Sequence, residues 1–269
     1  ADLKDLLEKI EATGAAGSCI TGVNWSIGAH YLCQVYGAAI GDVEERVAYV
    51  NSIISGDAKE IDNDVFNGYM DTLELLAEHN LNKADPLVGD VNVDAAAFAE
   101  GKCGTWFMGD WAWTYLAELV EEGAEFGLLP IPYSDNEDDT VNQCIPTSYA
   151  KGYCIDISQN TEEQQQAGLK FIEYMSSDEY ALEQTAIVTG QALPFENFTF
   201  EDKLSPLGQS TANYMSKGLA YDFYGTPNLC PSDIWYECGA YMCEYLSGAC
   251  DRETLASKID GYWSTQEAR

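Results

Sequence analysis

Basic side chains are scarce in this 269-residue chain: 13 Lys and Arg stand against 45 Asp and Glu, a formal net charge of −32. Such a surface repels nucleic acid and anionic lipid headgroups, which would find few counter-charges on it. No apolar run approaches the 18 or so residues that a bilayer-spanning helix needs. No basic-then-apolar leader opens the sequence, so a mature chain or a piece of one is expected. Imidazole is almost missing, with His30 and His79 alone, and no C-x-x-C pairs the cysteines. No zinc or other metal site is therefore expected. G-x-S-x-G, H-E-x-x-H, the P-loop and G-x-G-x-x-G are all absent, and two histidines leave little scope for a catalytic triad. No cofactor is expected.

Apolar residues and aromatic rings, by contrast, are plentiful. The hydrophobic fraction is 46%, with 17 Tyr and 6 Trp, enough for one large domain or two small ones with a proper core. Nine cysteines are scattered along the chain. Their odd number leaves at least one thiol without an intrachain partner, and the spacing suits cysteine as a small buried hydrophobe with few or no disulfides. A bridge within Cys230–Cys250 stays open. The acidic run Asp135–Asp139 reads as a solvated loop, because calcium-loop spacing is missing.

Helical and strand patterns alternate without internal repeats. Leu3, Leu6, Leu7 and Ile10 mark an opening helix, and Phe66, Tyr69, Met70, Leu73, Leu76 and Ala77 keep amphipathic spacing behind a cap at Asn63 or Asp64. Thr161 with Gln164, and Ser176 with Glu179, read as capping boxes. A late helix carries Trp235, Tyr241, Tyr245 and Leu246, and a last one runs from about Asp251 to Trp263. Ser18–Thr21, Gly104–Phe107, Phe126–Leu129 and Tyr153–Ile157 are the strand candidates. Interleaved helices and short buried strands predict an α/β fold.

The stretch Phe98-Ala-Glu-Gly-Lys-Cys-Gly-Thr-Trp-Phe-Met-Gly-Asp-Trp111 resembles the signature of family 1 extracellular solute-binding proteins, the maltodextrin-binding group, in which an F-x-x-G-K stretch leads through a strand to G-x-W. Further landmarks follow in order. They are Phe126–Pro132 with its proline pair, Gly152–Ile157, the helix pair within Ala167–Ala186, the turn Gly190–Pro194, and the ending around Ile234–Tyr236 and Tyr262-Trp263. The resemblance implies a periplasmic-binding-protein-like, type II, two-lobe α/β fold. In it residues 1–146 plus 206–269 would form the C-terminal lobe, and 147–205 a remnant of the N-terminal lobe. Relatives begin with a β-α-β region before the helix at which this chain starts, so truncation at the N-terminus is expected. The implied function is the extracellular substrate-binding component of an ABC transporter, not an enzyme. It would pass a sugar or oligosaccharide to permease subunits, from the periplasm or as a lipoprotein anchored to the membrane.

A sugar ring offers an apolar C–H face and a rim of hydroxyls, so its site needs flat aromatic platforms beside carboxylates and amides. Trp111 is the leading platform, aimed outward by a turn at Gly109; the alternative is a core indole. Asp110 would accept from a hydroxyl or cap the helix that follows. Trp235 either meets the ligand at the cleft or packs with Tyr241 and Tyr245. Trp25 and Asn24 lie in a loop after a strand, where α/β folds carry ligand contacts. Tyr149 lies beside a lobe crossing, as a contact or as packing; Trp106 and Met108 read as core. The rival functions are a carbohydrate-active enzyme such as a glycoside hydrolase, and a non-catalytic adhesion module.

Overall fold

A computed structural model describes residues 2–38, 42–121, 123–147, 152–193, 195–222 and 229–269. Helix α1 (Asp2–Glu11) leads into strand β1 (Ala16–Ile20), and the chain then enters a nine-residue π-helix, Asn24–Leu32, continued by α2 (Cys33–Ala38). Next come α3 (Val43–Ser55), α4 (Asp64–Glu78), α5 (Val91–Ala99) and β2 (Cys103–Phe107). A 3₁₀ turn, Asp110–Ala112, precedes the short α6 (Trp113–Leu116), and β3 (Ile145–Thr147) follows. The remaining elements are α7 (Glu162–Ser177), α8 (Glu179–Thr189), α9 (Pro206–Ser216), β4 (Ala220–Asp222), α10 (Ile234–Leu246) and α11 (Arg252–Trp263).

The mixture of helix and strand agrees with an α/β reading, although the strands are short and few. β1 and β2 pair in parallel, with Ser18 opposite Thr105 and Ile20 opposite Phe107. β3 and β4 form a second parallel pair, Ile145 opposite Ala220. Parallel strands need covered faces, and α1, α4 and α5 pack against β1. Several helix ends were legible. Asn63 caps α4 through the Val65 amide, 2.9 Å away, and Thr161 with Gln164 forms the expected reciprocal capping box. The second box is corrected: α8 is capped by Asp178, which accepts from the Ala181 amide.

Two expected strands are also corrected. Phe126–Leu129 forms no ladder, because its backbone is taken by α9 side chains: the Leu128 amide donates to Ser210 Oγ, and the Leu128 carbonyl accepts from the Tyr214 hydroxyl. Tyr153–Ile157 carries no strand, and no described strand pairs with it. It lies along α7, with Ile155 against Gly168 and the Tyr153 ring edge-on to Phe171 at 5.6 Å. α7 itself buries no residue.

The main core gathers the π-helix, α2, α4, α10 and α11. The π-helix and α10 approach so closely that a Cβ on Gly28 would sit 2.3 Å from the Gly239 Cα, while one on Gly239 would meet the Asn24 carbonyl oxygen at 2.4 Å. No other residue type fits either position unless the helices part. Cys19, Cys33, Cys103 and Cys238 are buried, and Cys154 is exposed.

A polar network closes the base of this core. Glu60 has no exposed surface. It accepts from the Tyr36 hydroxyl at 2.8 Å and the Tyr49 hydroxyl at 3.3 Å. Each phenol in turn accepts, from Trp263 Nε1 and from Asn63 Nδ2 respectively. Indole and amide N–H groups can only donate, so both phenol protons are committed to Glu60. Burial nevertheless pushes the Glu60 carboxyl up to about 7, against the pull of those hydrogen bonds.

Candidate functional site

The carboxyl ends of β1 and β2 lie side by side, the usual place for a ligand in an open parallel sheet. Past β1 the chain crosses Thr21–Val23 and starts the π-helix at Asn24; past β2 it crosses Met108-Gly109 into the turn carrying Trp111. A buried relay ties the two exits together. Trp106 Nε1 donates to Thr21 Oγ1 at 3.0 Å, and Thr21 Oγ1 donates to Asp94 Oδ2 on α5 at 2.7 Å. Desolvation raises the Asp94 carboxyl, against the hydrogen bond from Thr21. Trp106 is thus half-buried structure, as its sequence context suggested.

Four rings meet above these exits. Trp25 and Trp111 lie 5.7 Å apart, inclined by 62°. His30 sits 5.8 Å from Trp25, from Trp111 and from Trp235. Tyr115 adds its edge to Trp111 at 6.2 Å. The three tryptophans come from the π-helix, the 3₁₀ turn and α10, and all are half-buried, neither sealed in the core nor fully in water. Of the residues expected from sequence, Trp25, Trp111 and Trp235 are therefore brought together. The reason given for Gly109 needs correction. Its backbone is extended, and its missing side chain makes room for the Trp111 indole, whose Nε1 would stand 2.4 Å from a Cβ there. The ring folds back across the glycine.

Asp110 and Asn24 are near the rings but face protein. Asp110 Oδ1 accepts from Gln191 Nε2 at 2.5 Å, and Oδ2 accepts from Thr211 Oγ1 at 2.9 Å. The helix-cap alternative also lapses, since the turn shows no side-chain cap. Instead Asp110 clamps three stretches. Gly190, left-handed at φ 68° as the C-cap of α8, turns the chain so that Gln191 reaches it. Asn24 Nδ2 donates to the Tyr236 carbonyl at 3.4 Å, and its Oδ1 accepts from the Cys243 thiol at 3.3 Å. Tyr149 lies outside the described residues.

His30 and Tyr115 were not singled out from sequence. Five residues separate Trp25 from His30, roughly 140° apart on an α-helix. A π-helix, whose hydrogen bonds span five residues, brings such a pair onto one side. The only hint was an imidazole within a run of small residues shortly after a tryptophan.

Residues 80–198 match the model of a family described as bacterial extracellular solute-binding protein. The matched stretch runs through α5, β2, the Trp111 turn, α7 and α8; Trp25, His30 and Trp235 lie outside it. No curated protein matches the chain. Extracellular solute-binding proteins capture a solute outside the membrane for a transporter and in general catalyse nothing.

Proposed function

We propose that this chain is the substrate-binding component of a bacterial ABC importer, which captures a sugar or oligosaccharide on the aromatic cluster and presents it to permease subunits. The carrying observation is the gathering of Trp25, Trp111 and Trp235, three half-buried indoles from three elements, around His30 past the carboxyl ends of the parallel pair. Rings held partly open in this way suit the C–H face of a pyranose. In this reading the architecture is periplasmic-binding-protein-like. Residues 1–146 and 206–269 make one lobe, and 147–205 belong to a second lobe that closes over the ligand, with contacts made only in the closed state supplying the drive. The protein works extracellularly, lipid-anchored or periplasmic. The carboxylate beside Trp111 is engaged by Gln191 and Thr211, which does not favour it as the proton-donating carboxyl of the glycoside hydrolase alternative.

Calorimetry against a panel of mono- and oligosaccharides, on wild type and Trp111→Ala, tests this. Loss of the platform is expected to weaken binding about tenfold to a hundredfold, equivalent to about 1–3 kcal/mol. No saturable binding of any saccharide by the wild type would reject the sugar reading. Undiminished binding by a normally folded Trp111→Ala would reject the platform.

A further inference from the structure

We infer that Gln34 is a positioning residue for the aromatic cluster: its carboxamide holds the π-helix in the winding that sets Trp25 beside Trp111. The consequence for solute capture rests on the sugar-binding reading above. Gln34 lies on α2, just past the end of the π-helix, with 1% of its surface exposed on a helix whose six residues are all buried. Burying an amide there costs free energy unless both its ends are bonded, and both are. Nε2 donates to the His30 carbonyl oxygen at 2.7 Å. Oε1 accepts from the Tyr221 hydroxyl at 3.3 Å. With its own proton committed to Gln34, that hydroxyl accepts from the Tyr69 hydroxyl, 3.1 Å away. A carbonyl can only accept, so the relay runs one way, from Tyr69 through Tyr221 and Gln34 to His30, and fixes which end of the amide faces the π-helix.

The acceptor is the informative part. His30 stands four residues before Gln34, and its carbonyl is the one that the Gln34 backbone N–H takes in a regular α-helix. A side-chain donor at that oxygen competes with the backbone bond. It acts where the five-residue bonding of the π-helix passes into the four-residue bonding of α2. Without the carboxamide, the α-type bond is the nearest replacement, and the segment winds tighter. Trp25 and His30, 5.8 Å apart in the π-helix, would then point roughly 140° apart. Trp25 would leave Trp111, whose ring lies 5.7 Å from it. The cluster can therefore be disturbed from inside the core with every one of its rings kept.

The experiment compares the full chain as wild type, Gln34→Met, Tyr221→Phe and, as a control in the α11 core, Leu255→Ala. Met keeps the length of the side chain and removes both hydrogen bonds; Phe keeps Gln34 and removes the hydroxyl that orients it. Near-ultraviolet circular dichroism of the tryptophans, calorimetry with the tightest saccharide of the panel, and thermal unfolding are measured for each. Gln34→Met is expected to change the tryptophan spectrum and to weaken binding about tenfold or more, as for a lost aromatic platform. Tyr221→Phe should change both in the same direction by less. Leu255→Ala, at a fully buried position, should melt lower and keep both. A Gln34→Met protein with the wild-type spectrum overturns the inference, whatever its melting temperature. So does a spectral change that Leu255→Ala shares, since Gln34 then acts as any core residue does. If Gln34→Met does not fold, Tyr221→Phe decides by the same spectrum. The spectrum needs no ligand, so a wild type that binds no saccharide rejects the sugar reading while Gln34 is still judged. A changed spectrum with undiminished binding upholds the positioning and rejects the rings as the binding surface.

Discussion

Glu60 carries a carboxylic acid with no exposed surface, and two phenols anchored by Trp263 and Asn63 donate to it. Its pKa is raised to about 7 from the ordinary 4.5, chiefly by burial. The folded protein therefore holds this proton more tightly than the unfolded chain. The sign follows from linkage: the stabilisation is complete below about pH 4.5, falls as pH rises toward 7, and is lost above it. A shift of that size corresponds to about 3 kcal/mol. Glu60→Gln, which cannot ionise, should flatten the dependence of unfolding free energy on pH between 5 and 7.5 relative to wild type. Parallel curves for the two proteins across that window, from chemical denaturation, would show that Glu60 does not titrate there.

Among the elements, the π-helix and α10 are the pair on which the ring cluster depends. Gly28 and Gly239 meet with no side chain between them, so Gly239→Ala is expected to push α10, and Trp235 with it, away from His30. Overpacking of this kind costs about 1–3 kcal/mol. A lower melting temperature and an altered tryptophan emission maximum are expected, and a variant unchanged in both would deny the crossing its role. Much of this level was legible in the sequence. The α4 stripe, the Asn63 cap and the Thr161 box follow from local rules, because a helix satisfies its own backbone. Strands depend on distant partners, so Phe126–Leu129 looked like one until Ser210 and Tyr214 took its hydrogen bonds. The candidate tryptophans came from sugar-stacking chemistry together with their places in the family resemblance. His30 could not be found that way, because a π-helix departs from the periodicity by which helices are recognised. The partners of Asp110 could not be read locally, because the groups that engage it lie 81 and 101 residues further along the chain.

For the whole molecule, charge and exposed apolar surface oppose one another. The net charge of −32 keeps copies apart at neutral pH. α7 buries nothing, and Leu169 and Phe171 are each about half exposed beside the unpaired stretch Tyr153–Ile157. Near the sequence isoelectric point of about 4.1 the repulsion vanishes, and light scattering should detect self-association. A Leu169→Glu, Phe171→Glu double variant should stay dispersed closer to that pH. Equal scattering by both proteins would place the sticky surface elsewhere. The Asp110 clamp has a practical side. One carboxylate next to the Trp111 ring holds both the end of α8, through Gln191, and α9, through Thr211. A pull on α8 therefore reaches the residue beside the ring directly. Cys154, an exposed thiol on the stretch lying along α7, is a natural attachment point for an environment-sensitive dye. If a solute held at the rings shifts α8, which packs on α7, a dye on Cys154 would report that binding as a change in emission.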